Sequence, residues 1–129
     1  MRKFTILSFI LLAVIVVSSC KKKSDDTPAP VNPSFIMSAI PDQYDANAVY
    51  FLFKCTNMDI KLTKIIISDP LTLFSDTYDL QGTTYLQNTA YIFGSSYTKE
   101  TGNWSFQFTG NRQTDNTSFV VTALLYISK

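Results

Sequence analysis

The chain has 129 residues, 11 of them basic and 10 acidic, for a formal charge of +1. So even a balance supplies no electrostatic footprint for nucleic acid. Histidine is absent, which removes the usual general base, the usual zinc ligand and every serine–histidine or cysteine–histidine nucleophile pair.

The N-terminus reads Met1-Arg2-Lys3, then an apolar run from Phe4 to Val17 broken only by Thr5 and Ser8, then Ser18-Ser19-Cys20. The run is shorter than the ~20 residues that cross a bilayer as a helix and fits the apolar centre of a cleaved leader. Residues 1–19 are therefore expected to be removed, and losing Arg2 and Lys3 with them turns the charge from +1 to −1. Val17-Ser18-Ser19-Cys20 resembles the bacterial lipobox, an aliphatic and two small residues before the cysteine that becomes the new N-terminus. The resemblance implies a lipoprotein whose Cys20 carries acyl chains and holds the protein on a membrane. Two or three chains, at about 0.8 kcal/mol per buried methylene, anchor far more firmly than one.

Residues 20–33 combine Lys21, Lys22 and Lys23 with Asp25, Asp26, Pro28, Pro30 and Pro33. Such a stretch cannot bury enough apolar surface to fold, and its prolines favour an extended tether. Lys23-Ser24-Asp25-Asp26 is similar to the acidic surface-export tags of lipoproteins from Bacteroidota-type bacteria. That likeness implies an outer-membrane address, with the face left open.

Residues 34–129 are expected to form one domain. No stretch there repeats apolar residues with helical period, whereas several alternate with a period of two. The predicted strands are 35–40, 48–55, 60–68, 71–78, 84–93, 103–109 and 117–128. Trp104, Phe106 and Phe108 share one face of their strand, with polar residues opposite. Residues 119–127 are apolar at every odd position and also at Val120, Leu124 and Tyr126, which predicts a central strand. Ile60 and Leu62 lie in one phase and Ile65 and Ile67 in the other, so a β-bulge or sheet switch is expected near Thr63 and Lys64. Gly82, Gly94, Gly102 and Gly110 are spaced as successive turns would be. Seven short strands with regular turns predict an all-β fold, a single antiparallel β-sandwich, with a small closed barrel as the alternative.

Gly102 to Gly110, followed after a turn by Phe119 to Ile127, is similar to the closing hairpin of small immunoglobulin-like lipoprotein domains. Leu80-Gln81-Gly82-Thr83-Thr84-Tyr85 resembles a fibronectin-type tyrosine corner, with one residue fewer and no proline. The corner's phenol bonds back to the upstream chain. These resemblances imply an immunoglobulin-like architecture and no particular activity.

With Cys20 acylated, Cys55 has no intramolecular partner and is expected in the core beside Phe51 and Phe53. Seven tyrosines and one tryptophan raise the prospect of a carbohydrate platform. Tyr44 and Tyr97, expected in loops, and Tyr50 and Tyr126, opposite the apolar faces of their strands, are the candidates. Trp104 is expected in the core. Asp42, Asp45 and Asn47 supply three oxygens but lack the rest of a calcium loop, and Asp or Asn turn capping accounts for them. Ser96 and Lys99 have the spacing of a serine–lysine acyl enzyme, which requires a helix; a loop is expected instead. No metal or cofactor is implied. The expected function is a non-catalytic envelope lipoprotein that binds or adheres, with glycan as the first candidate ligand. The alternatives are an accessory subunit docking on another envelope protein and a small hydrolase.

Overall fold

The computed structural model describes residues 28–129. The expected leader, the lipidation site Cys20 and residues 20–27 of the tether lie outside the described residues. The rest is an all-antiparallel, immunoglobulin-like β-sandwich of seven strands: β1 (Phe35–Pro41), β2 (Ala48–Cys55), β3 (Ile60–Ser68), β4 (Ser75–Tyr85), β5 (Tyr91–Thr98), β6 (Gly102–Arg112) and β7 (Ser118–Ile127). One sheet has the order β1-β2-β5 and the other β4-β3-β6-β7, and both are open, so the barrel alternative falls. Relative to the constant-type immunoglobulin arrangement, the fourth strand has left β5 and pairs with β3.

Alternation along β2, β3 and β6 builds the core, because every second side chain faces the opposite sheet. Phe51, Phe53 and Cys55 meet Ile60, Leu62, Ile65, Ile67, Trp104, Phe106 and Phe108 there, all buried. Each fully buried side chain of this size contributes about 1.5–3 kcal/mol of apolar transfer. Phe35 stacks on Phe108 with ring centroids 3.9 Å apart, and Phe51 meets Phe106 edge-on at 5.0 Å. Cys55 is a free, buried thiol, as its position in the alternation predicts.

The predicted phase change in β3 is present. The register of β3 shifts between Leu62 and Lys64 against both β4 and β6. Against β6, Thr63 is the extra residue, and its hydroxyl donates to the Thr109 carbonyl at 3.1 Å. Against β4, the three residues Leu80, Gln81 and Gly82 stand opposite Thr63. Gln81 and Gly82 take positive φ values of 48° and 79°, a conformation in which only glycine avoids a steric penalty.

Four expectations need correction. Gly82, Gly94 and Gly110 lie inside β4, β5 and β6 rather than in turns; only Gly102 sits at a strand start. The fourth and fifth strands accordingly run 75–85 and 91–98, not 71–78 and 84–93. Strand β7 is an edge rather than a central strand, and its second apolar face is open to solvent. The resemblance of residues 80–85 to a tyrosine corner fails because the segment is a bulged strand. The phenol that bonds back to the chain is that of Tyr91, which accepts from the Leu86 amide at 2.9 Å.

The N-terminal approach is fixed at one end of the sandwich. Arg112, held by Asp115 in the β6–β7 turn, donates to the Val31 carbonyl at 3.1 Å, and Asn57 donates to the Asn32 carbonyl at 2.9 Å. The Thr117 amide, more than Arg112, keeps the Asp115 carboxyl below its ordinary value.

Candidate functional site

Strands β4 and β5 are the edges of different sheets, and both are bulged. In β5, Phe93, Gly94 and Ser95 together stand opposite Phe51 of β2. Bulges of this kind bend an edge and spoil it as a template for another strand. Here they leave one flank of the sandwich open. The inward side chains of both edges reach into it, Asp76, Tyr78 and Leu80 from β4 and Tyr91, Phe93 and Tyr97 from β5.

The centre of the flank is closed by three hydrogen-bonded side chains. The Tyr97 hydroxyl donates to Asp76 Oδ2 at 2.7 Å, and the Tyr97 and Tyr78 hydroxyls lie 2.6 Å apart. A carboxylate can only accept, so Tyr97 spends its proton on Asp76 and Tyr78 donates to Tyr97. The clasp ties the two sheets together where no ladder does. Burial, followed by the bonds to Tyr78 and Asp76, pushes the Tyr97 phenol well above its ordinary range. A phenol raised in the folded state stabilises the fold fully below its unfolded value of about 10, and this contribution is lost progressively as the pH rises beyond it. Tyr97→Phe should cost about 1 kcal/mol at neutral pH and flatten the alkaline decline of the unfolding midpoint. An unchanged decline in that variant would assign the effect to other tyrosines.

On the tether side of the clasp lies a crevice of about 360 Å3 whose lining includes Phe53, Ile65, Tyr78, Leu80, Tyr85 and Tyr91. The Tyr85 and Tyr91 rings stand perpendicular with centroids 4.7 Å apart. Burial, and then the neighbouring Tyr91, raises the Tyr85 phenol. Beyond the clasp is a notch of about 280 Å3 that includes Asp69, Phe74, Tyr97, Glu100 and Trp104. The Trp104 indole is buried, as expected, and donates to the Glu100 carbonyl at 3.1 Å. The notch ends at the β3–β4 loop, where Asp69 Oδ1 accepts from the Phe74 amide at 3.0 Å and the Asp69 carbonyl from the Thr72 amide at 3.2 Å. That pinned loop holds Leu73 85% exposed and Leu71 58% exposed.

The four tyrosines singled out from sequence do not form one surface. Tyr44 is 89% exposed in the β1–β2 turn, Tyr50 lies half-buried on the outer face of the three-stranded sheet, and Tyr126 is exposed on the outer face of the other sheet. Tyr97, expected in a loop, is in β5 with only 7% of its surface exposed. Its alternation with Phe93 was hidden by the two extra bulge residues between them. Tyr78, Tyr85 and Tyr91 were missed. The signal for Tyr78 is the inward row Asp76, Tyr78, Leu80, in which a carboxylate and a phenol replace the aliphatics of a central strand.

The serine–lysine spacing fails as a pair because Ser96 and Lys99 do not share a helix turn. Ser96 is exposed on β5, a strand and not the expected loop, and Lys99 Nζ donates to the Ala46 carbonyl at 2.8 Å. Asp42 and Asp45 accept from the amides two residues on, at 2.9 and 2.8 Å, the turn capping expected of them. Among the described residues no group of three or more acidic or cysteine side chains is placed to hold a metal. Comparison with protein-family models, with curated proteins and with solved structures returns no match for the chain.

Proposed function

We propose that the chain is an outer-membrane lipoprotein, anchored through acylated Cys20, that works as a non-catalytic binding module and takes a glycan in the crevice between β4 and β5. The observation that carries this reading is the lining of that crevice, where two perpendicular tyrosine rings pack beside the Phe53 ring among apolar side chains. A sugar presents axial C–H groups to an aromatic face and hydroxyls at its rim, and tyrosine answers both with a flat ring and a polar tip. The crevice volume falls at the lower end of ligand sites, about 300–1,000 Å3, which suits one or two saccharide units.

The test is a glycan array probed with the purified full chain, followed by calorimetric titration of the best ligand. Tyr85→Ser should weaken binding about tenfold or more, equivalent to about 1.4 kcal/mol, while Tyr44→Ser leaves it unchanged. Absence of any bound glycan, or equal affinity in Tyr85→Ser, would defeat the reading. The anchor is read in the same preparations, because Cys20→Ser should move the chain out of the membrane fraction.

A second reading, docking on another envelope protein, draws support from the β3–β4 loop. Aliphatic side chains held out by a pinned backbone, as Leu71 and Leu73 are, suit a protein surface better than a sugar. A photo-crosslinker placed at Leu73 should then capture one defined protein in intact cells.

A further inference from the structure

We propose that β7 is the interface of a symmetric homodimer, in which two copies pair antiparallel through this strand and join their four-stranded sheets into one of eight. Strand β7 pairs with β6 without a break, from Gly102↔Ile127 to Asn111↔Ser118, and no strand of the described residues pairs with its far side. It contains no Gly, no Pro and no side chain charged at neutral pH. Edge strands are ordinarily blunted by such residues, by bulges or by covering loops. The other edges are blunted: β4 and β5 are bulged and β1 ends on Pro41. On the outer face of β7, Val120, Leu124 and Tyr126 are 62%, 63% and 62% exposed.

The sequence of β7 matches itself in reverse. Pairing about Ala123 uses every residue from Phe119 to Ile127. It places Val120 against Tyr126 and Thr122 against Leu124 on the outer face. Val121 then meets Leu125, and Phe119 meets Ile127, on the inner face. Such β-branched, aliphatic and aromatic cross-strand pairs are the favourable ones. An odd shift would set inward residues against outward ones, and the next even centre, Thr122, would leave the apolar Ile127 without a partner where the centre at Ala123 leaves only Ser118.

Electrostatics favour a second copy over a partner steered by charge. The neighbouring outer row on β6, Asn103, Ser105, Gln107 and Thr109, is uncharged. The nearest charged row is that of Lys61 and Lys64 on β3, two strands in. In the dimer these rows are five strand spacings apart, about 24 Å, and beyond the ~8 Å screening length of physiological salt. Charge at this edge is confined to its ends, where Lys129 pairs with Glu100 and Arg112 with Asp115, so along the strand itself a charged partner would find nothing complementary. Antiparallel pairing of identical edges is also closed, and the outermost strands of the joined sheet are the two bulged β4 strands, so growth stops at two copies.

The test is disulfide trapping in intact cells with the full chain. Across an antiparallel pair, Cα atoms lie about 4.5–5.5 Å apart, within the range a disulfide spans. Ala123→Cys sits on the symmetry axis and should give a dimer band on non-reducing gels. Val121→Cys, offset from its own copy, should not. Cys55 is buried, so the parent chain should give no band. Leu124→Lys, an exposed position, should lower the Ala123→Cys yield about tenfold by placing a charge at the joined edge. It should also make the purified chain sediment as a folded monomer, with the strand spectrum of the parent and an unfolding midpoint that no longer rises with protein concentration. A monomeric parent chain would overturn the proposal, as would equal trapping at positions 121 and 123 or a dimer that survives Leu124→Lys.

Discussion

Gly110→Ala is expected to remove about 3 kcal/mol or more of stability, at or above the upper end of ordinary overpacking, although it adds a single methyl group inside a strand. Gly110 pairs with Leu62 at the point where β3 bulges at Thr63. A Cβ built on Gly110 would overlap the Lys61 carbonyl oxygen and lie 3.0 Å from Leu62 Cα. Both atoms are backbone, and neither can step aside, because Lys61 and Leu62 also pair with Thr84 and Thr83 of β4. Relief requires β3 to leave one of its two neighbours. Gly94→Ala is the control, since a Cβ there meets nothing within 4 Å, and its effect should stay within about 0.5 kcal/mol. Denaturant titration reads both. Equal midpoints for the two variants would mean that the close approach at the bulge carries no strain.

The same glycine explains what the sequence could and could not reveal. Where a strand is regular and one face is wet, alternation exposes it directly. Trp104, Phe106 and Phe108 mark β6, and Phe51, Phe53 and Cys55 mark β2. The change of phase from Leu62 to Ile65 even located the bulge in β3, because an extra residue moves every later side chain to the other face. Gly82, Gly94 and Gly110 read as turns because a glycine's freedom is visible in sequence while its use is not. Gly82 relaxes a positive φ in a bulge, and Gly110 admits a backbone.

Misreading them displaced β4 and β5, and with those strands went the candidate site. Tyr97 became a loop residue, and Tyr78, Tyr85 and Tyr91 were never set side by side, because a crevice between edges of different sheets depends on pairings remote in sequence. Strand β7 illustrates the opposite ambiguity. Apolar residues on both faces mean a buried strand or an edge awaiting a partner, and periodicity alone does not separate the two.

Phe51→Ala should be the most damaging truncation in the core. Phe51 is wholly buried in the middle strand of the three-stranded sheet, opposite Ala39 on one side and the β5 bulge on the other. Its ring centroid lies 4.8 Å from Trp104, 5.0 Å from Phe106 and 5.4 Å from Tyr97, so it joins the two sheets and backs the phenol clasp. Removing a buried phenylalanine side chain costs about 3–5 kcal/mol, the higher values belonging to sites that cannot collapse. This site is of that kind. The bulge opposite is three residues wide, and the Tyr97–Asp76 bond pins β5 across the gap. Against a total of about 5–15 kcal/mol for a domain, that loss takes a large share.

The coupling to the clasp supplies the sharper measurement. If the Phe51 ring holds Tyr97 in place, combining Phe51→Ala with Tyr97→Phe should cost less than the sum of the single changes by about 0.5 kcal/mol or more, since contacting residues do not act independently. Strict additivity would uncouple the clasp from the core. Tyr97 would then be positioned by β5 alone, and the open flank would keep its shape after the core beneath it had been hollowed.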